Sequence, residues 1–246
     1  GTAAGGPVLV CGVNWVGDTL MSMPAIQALR RRLVGIRLIL LVKPAVLPLW
    51  QMHEAPDELI LLRSGWRGTL TTAAEVRSRK IRCAWILPRS VRAAAIPFLA
   101  GVPERRGWPG HSRDTLLTHI HPPPAAQGRQ HQAFDYLDFL APESRDTEPL
   151  LPRLRVPPEA AEAARFWLEP LSRPVIALLP GAARGPSKRW PAAHFAELGR
   201  RLIASLGGSI VVAGGPSESA LCDDVARAIG PRALNLGGRT NLPEWA

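Results

Sequence analysis

The sequence predicts an α/β protein of two successive units, each built on an open and mostly parallel sheet. Three observations carry this. Short apolar runs alternate with segments of helical spacing through the first half of the chain, and the same alternation restarts after Pro174. The runs are continuously apolar, as in strands buried on both faces, and not alternating as in a sheet with one wet face. With 246 residues, 46% of them hydrophobic, the chain has ample material for such cores.

The first strand is read at Pro7–Val13. Thr19–Arg32 has helical spacing, with an Arg cluster at its end that suits the negative end of a helix dipole. Ile36–Val42, Leu59–Leu62 and Ala84–Leu87 read as further strands, with helices at Thr69–Lys80 and Ser90–Ala100. Pro103–Gln130, rich in Pro, Gly, Arg and His, reads as long loops. Helices follow at His131–Leu140 and Pro158–Leu168. Glu169–Pro174 looks like a linker, so the expected domains are 1–169 and 170–246. The second unit then runs strand Val175–Leu179, loop Pro180–Trp190, helix Pro191–Leu206, strand Ser209–Ala213, helix Ser217–Ile229 and strand Ala233–Leu236, with one more helix expected to begin near Asn241. The second unit is shorter than a usual doubly wound domain and the chain lacks an initiator Met. A trimmed or partial chain is therefore expected.

Lys and Arg number 30 against 20 Asp and Glu, a net charge of +10. Such a surface favours anionic partners: nucleic acid, lipid headgroups or phosphorylated sugars. No helix-turn-helix, zinc or RRM signature accompanies it, so nucleic acid is not the expected partner. The three cysteines, Cys11, Cys83 and Cys222, are far apart, which excludes a disulfide framework and fits a reducing compartment. No apolar run is long enough to cross a membrane.

Three strand-to-helix junctions carry candidate chemistry, because ligands of parallel sheets sit at the carboxyl ends of the strands. In Asn14-Trp15-Val16-Gly17-Asp18, Asp18 reads either as a helix N-cap or as a general base. The segment from Pro180 to Pro191 offers Gly181, Ala182 and Ser187 for close backbone approach, Lys188 and Arg189 for charge, and a helix N-terminus: an anion site or an ordinary solvated loop. In Gly214-Gly215-Pro216-Ser217-Glu218, Glu218 reads either as a ribose acceptor or as a first-turn residue that complements the dipole. No metal spacing is present among the six histidines, nor is there an Asp-x-Asp motif, a Walker A loop or a G-x-S-x-G element. Of the eight Trp, most are expected in or around the core.

Taken together, these motifs resemble the lipopolysaccharide heptosyltransferases of glycosyltransferase family 9, type II in particular. The resemblance lies in Asn14–Asp18 with Pro24 six residues on, in Leu87-Pro88-Arg89-Ser90, in Ile96–Pro103 with Arg106-Gly107-Trp108, and in Pro180-Gly181-Ala182 with Gly185–Pro191. It implies a GT-B architecture of two Rossmann-like domains, with the acceptor on the first and ADP-L-glycero-D-manno-heptose on the second. It implies an inverting transfer, without metal or cofactor, to the first heptose of the inner core on Kdo2-lipid A. Asp18 matches the family's base and Lys188 its diphosphate lysine, and Glu218 falls near a ribose-binding acid. A later Asp-Ser/Thr-Gly-x-x-His donor loop of the family does not occur in this sequence, so weak donor binding and little or no turnover are expected of the chain as it stands.

The acceptor that this implies is strongly anionic. Arg63, Arg89, Arg92, Arg106 and Arg113 lie in the acceptor half and are expected to act as a group. The same basic surface is expected to hold the protein against the cytoplasmic face of the anionic inner membrane. Another core heptosyltransferase is the enzymatic alternative, and a basic nucleic-acid-binding protein the non-enzymatic one.

Overall fold

A computed structural model describes residues 5–110, 112–122, 130–182 and 186–246. The chain forms two compact units, Gly1–Arg155 and Val156–Ala246. This division falls upstream of the 169/170 boundary expected from composition. Helix Pro158–Leu168 packs against the helix Leu242–Trp245 and so groups with the second unit.

In the first unit the elements run β1 (Val8–Cys11), α1 (Val16–Arg32), β2 (Leu38–Val42), α2 (Leu47–Gln51), β3 (Glu58–Leu61), α3 (Gly65–Ser78), β4 (Cys83–Ile86), α4 (Val91–Leu99), β5 (Glu104–Gly107), β6 (His119–Ile120) and α5 (Gln132–Leu140). The sheet is parallel throughout, in the order β3-β2-β1-β4-β5-β6. β1, β2 and β4 are buried along their whole length, which is why they read as unbroken apolar runs. Alternate residues serve opposite faces. Leu9, Cys11, Ile39, Leu41, Ala84 and Ile86 form one core with Val76 of α3 and Ile96 of α4. On the other face α1 packs along α5, and Trp85 of β4 meets Phe139 of α5 edge-on at 5.1 Å.

Two expectations fail locally. β5 and β6 lie where the sequence predicts only loops. Glu104-Arg105-Arg106-Gly107 has no apolar run because its residues are mostly half-buried, and β6 is a two-residue edge strand. Backbone pairing makes these strands, and side-chain pattern does not announce it. Second, α1 begins at Val16, with Trp15 as its extended N-cap residue. Asp18 is therefore the third helical residue and does not cap the helix. At the other end Arg30 ties down the turn that follows the helix: its guanidinium bonds the carbonyls of the C-cap Leu33 and of Ile36 and pairs with Asp57 at 2.5 Å.

The second unit contains α6 (Pro158–Leu168), β7 (Val175–Leu178), α7 (Ala192–Leu206), β8 (Ser209–Val212), α8 (Ser219–Ile229), β9 (Ala233–Asn235) and α9 (Leu242–Trp245). Its sheet is parallel, in the order β7-β8-β9. Ile210 and Val212 pack with Ala196 of α7 and Cys222, Val225 and Ile229 of α8. α7 stops at Gly207, whose φ of 77° is the left-handed conformation that lacks a steric penalty only for glycine. Pro191 stands at the N-cap of α7, one position ahead of the expected first turn. All three cysteines are buried and unpaired.

Candidate active site

The strand order of the first sheet reverses between β1 and β4, and a crevice is expected outside the carboxyl ends at such a switch point. A cleft of about 610 Å³ opens there. Val13, Asn14, Trp15 and Asp18 enter it from the β1–α1 junction, and Leu87, Pro88, Arg89 and Ser90 from the β4–α4 junction. The close fit of β1 and β2 at this end depends on Gly12, where a Cβ would stand 3.2 Å from the Leu41 carbonyl.

Asp18 is half-buried on the cleft wall, and its carboxylate makes no hydrogen bond or ion pair with the described residues. Across from α1, α5 contributes Gln132, Asp135 and Tyr136, joined by Gln130 just ahead of that helix. Gln132 donates to the Tyr136 hydroxyl at 2.9 Å, and Gln130 to Asp135 at 2.7 Å. Burial pushes the Tyr136 phenol up from its ordinary range, and the negative charge of Asp18 pushes it further. The tyrosine therefore remains a neutral donor beside a carboxylate. Trp108 forms part of the wall, packed at 4.4 Å against Phe139 with the rings tilted by 32°, and the Arg89 guanidinium lies 5.8 Å above its ring. The arrangement holds an unencumbered carboxylate, a neutral hydroxyl and one guanidinium in a concave, partly aromatic site. It is suited to orienting a hydroxylated, anionic molecule and taking a proton from it.

Of the five arginines expected to meet the acceptor, only Arg89 lines this cleft. Arg113 is a correction. Its side chain is fully buried, with Nε and Nη2 donating to the Trp108 carbonyl at 3.1 and 2.7 Å and Nη1 to the Pro88 carbonyl. Gly107 makes room for it, since a Cβ there would come within 2.7 Å of Nη2. Arg113 thus ties the two segments that wall the cleft and cannot touch a ligand. Arg106 is another correction: it pairs with Glu104, lies over Trp85 and lines a separate pocket beside Val8 and Cys83, at the strand beginnings. Arg63 faces Glu75 at 3.7 Å, and Arg92 bonds Thr69 and the carbonyls of Arg63 and Gly65. Neither lines the cleft. Gln132, Asp135 and Tyr136 were missed by sequence reasoning, although their spacing places three polar groups on one face of an otherwise apolar helix.

In the second unit the β7–α7 and β8–α8 junctions meet. Glu218 accepts the Gly215 N–H at 2.9 Å through Oε2, the role of a first-turn acid, while its carboxylate lies against Gly181 and Gly214. Ala182 accepts from Arg189 at 3.3 Å, and Trp190 packs on His194 and Phe195 of α7. Ser187 and Lys188 are exposed on a short 3-10 turn (Pro186–Lys188), and their side chains make no hydrogen bond or ion pair with the described residues. Ala183, Arg184 and Gly185 of the expected anion loop lie outside the described residues. Gly181, Ala182 and Glu218 are thus brought together, with Lys188 on the same junction, ahead of the α7 N-terminus.

Two parallel α/β units, each with its polar residues gathered at the carboxyl ends of its strands, are the framework of a nucleotide-sugar transferase. The chain belongs to glycosyltransferase family 9 (heptosyltransferase), whose family model matches residues 71–246. Among its relatives, lipooligosaccharide heptosyltransferase 2 of Haemophilus influenzae is 29% identical over 254 residues, which span 96% of this chain and 73% of the relative. Lipopolysaccharide heptosyltransferase 2 of Escherichia coli K12 is 29% identical over 254 residues, 96% of this chain and 72% of the relative. The solved ADP-heptose lipopolysaccharide heptosyltransferase II of E. coli superposes with a TM-score of 0.81 at 26% identity, over 97% of this chain and 75% of that one. A family 9 glycosyltransferase from Veillonella parvula gives 0.81 at 19% identity, over 97% and 71%, and bears on the fold alone. The chain is a glycosyltransferase of the GT-B class, with two Rossmann-like units.

Proposed function

We propose that this chain transfers L-glycero-D-manno-heptose from ADP-heptose to the first heptose of a Kdo2-lipid A inner core, with inversion at the anomeric carbon. The observation that carries the reading is the carboxylate of Asp18 on the switch-point cleft, unpaired among the described residues, with Tyr136 and Arg89 lining the same cleft. Asp18 takes the proton from an acceptor hydroxyl. That oxygen forms the new bond to the anomeric carbon as the bond from this carbon to the ADP oxygen breaks, and ADP leaves with the electron pair. Lys188 and the first-turn amides of α7 offset the developing charge on the diphosphate, the task a metal ion performs in other transferases. Gly181 and Ala182 let the diphosphate approach the backbone, and Glu218 stands by the ribose. The transfer needs no metal in this reading, so EDTA leaves its rate unchanged. The protein works at the cytoplasmic face of the inner membrane, where its acceptor is anchored, and binds that surface peripherally.

The test is ADP release with ADP-heptose and mono-heptosylated Kdo2-lipid A, with mass spectrometry of the acceptor. It is run on this chain and on one lengthened at its carboxyl end by the corresponding segment of the E. coli relative. A gain of one heptose by either chain supports the proposal. No gain by either folded protein, or equal turnover with another nucleotide sugar, refutes it.

A further inference from the structure

Three segments that leave the carboxyl ends of β2, β3 and β4 share a composition. Residues 43–51, 62–70 and 87–95 hold five cations, Lys43, Arg63, Arg67, Arg89 and Arg92, and no Asp or Glu. Because the sheet is wholly parallel, these segments lie along one edge of it, the edge that carries the Asp18 cleft. The opposite edge carries acids among its cations: Arg37 is paired to Glu58 and Arg106 to Glu104.

Large apolar side chains also stand exposed on the cationic edge. Trp66 is 70% exposed, Leu70 50% and Val91 43%. They belong to one surface, because α3 and α4 pack side by side and Arg92 of α4 bonds Thr69 of α3 at 3.0 Å. The Arg67 guanidinium lies 5.2 Å above the Trp66 ring, so a cation and an aromatic ring are offered together.

We infer that this edge is the face that docks on an anionic lipid bilayer, with Trp66, Leu70 and Val91 at headgroup depth and Lys43 and Arg67 on lipid phosphates. Charge complementarity selects the occupant: three basic segments that hold no acid of their own, with an exposed Trp among them, match an amphiphilic, negatively charged surface. The inference rests on the proposed membrane-anchored acceptor and adds which face meets the membrane. Since the cleft opens on that same edge, docking presents the sugar head of the acceptor to Asp18.

Flotation with phosphatidylcholine vesicles, with and without phosphatidylglycerol, tests this. The protein is expected to float only with the anionic vesicles. Arg67→Ser weakens that partition about fivefold and Trp66→Ala at least as much, whereas Arg201→Ser on α7 does not. Both rim variants keep the melting temperature and the ADP-release rate of the parent with an acceptor stripped of its acyl chains. Failure of the parent to float, rim variants that float like the parent, or an equal loss with Arg201→Ser would overturn the inference. The two readings fail separately: transfer to the soluble acceptor without vesicle binding removes only the docking face, and vesicle binding without transfer removes only the proposed reaction.

Discussion

The carboxylate of Glu218 lies against the α-carbon of Gly181, so closely that a methyl group there would stand 1.9 Å from Oε1. Gly181→Ala must therefore expel the carboxylate and break its bond to the Gly215 amide. A stability loss of about 1 kcal/mol is expected, with weaker binding of ADP. Glu218→Ala removes the clash, so the double variant should be no less stable than Glu218→Ala alone. Denaturant unfolding and ADP titration over the four proteins measure that coupling.

Asp18 separates its two possible roles by magnitude. As a first-turn acid it supports α1 by at most about 1 kcal/mol. As a general base its loss lowers kcat by a factor on the order of 10² to 10⁴. Asp18→Asn should show the large kinetic loss, a near-normal melting temperature and unchanged ADP affinity. Equal losses in stability and turnover would return it to a structural role.

Arg89 and Arg113 should part company. Arg113→Met leaves the carbonyls of Trp108 and Pro88 without their donor in a buried site and should cost roughly 2–4 kcal/mol. Arg89→Met touches only the cleft wall and should raise the KM for the acceptor while stability stays within about 0.5 kcal/mol. Thermal unfolding beside steady-state kinetics distinguishes them.

His53 predicts a pH dependence of stability. It is buried; the Ala55 N–H donates to its Nδ1 at 3.1 Å, which leaves Nε2 protonated and facing the Gln27 Oε1 at 2.9 Å. Burial lowers its pKa from 6.5 to about 4, against a smaller raising effect of Glu54. Above pH 6.5 the ring is neutral in both folded and unfolded chains. As the pH falls from there towards 4, only the unfolded chain takes up the proton, so the fold loses up to about 3 kcal/mol. Unfolding measured from pH 7 to 4 should show this decline, and His53→Gln should flatten it.

Legibility from sequence followed the range of the forces involved. β1, β2, β4 and β8 are buried on both faces and so announce themselves as apolar runs, and Gly207 marks the end of α7 through its own backbone. β5 carries its evidence in pairing with β4, which leaves no trace in Glu104-Arg105-Arg106. Asp18 stood out because it follows a strand and opens a helix. Its neighbours Gln132, Asp135 and Tyr136 reach the cleft through the packing of α5 on α1, a contact that no local window contains. Arg113 had the composition of a ligand contact and the burial of a core residue, and only the fold separates the two.

The sealed thiols have a practical consequence for following the molecule in solution. Burial pushes Cys11 and Cys83 up to about 12, and Cys222 is also raised. Since the thiolate is the reacting species, a maleimide should leave the folded chain untouched at neutral pH. A single cysteine placed at the exposed Trp66 or Leu206 would then be the sole label site, with no native cysteine removed, and alkylation of the other three would clock unfolding in the same tube.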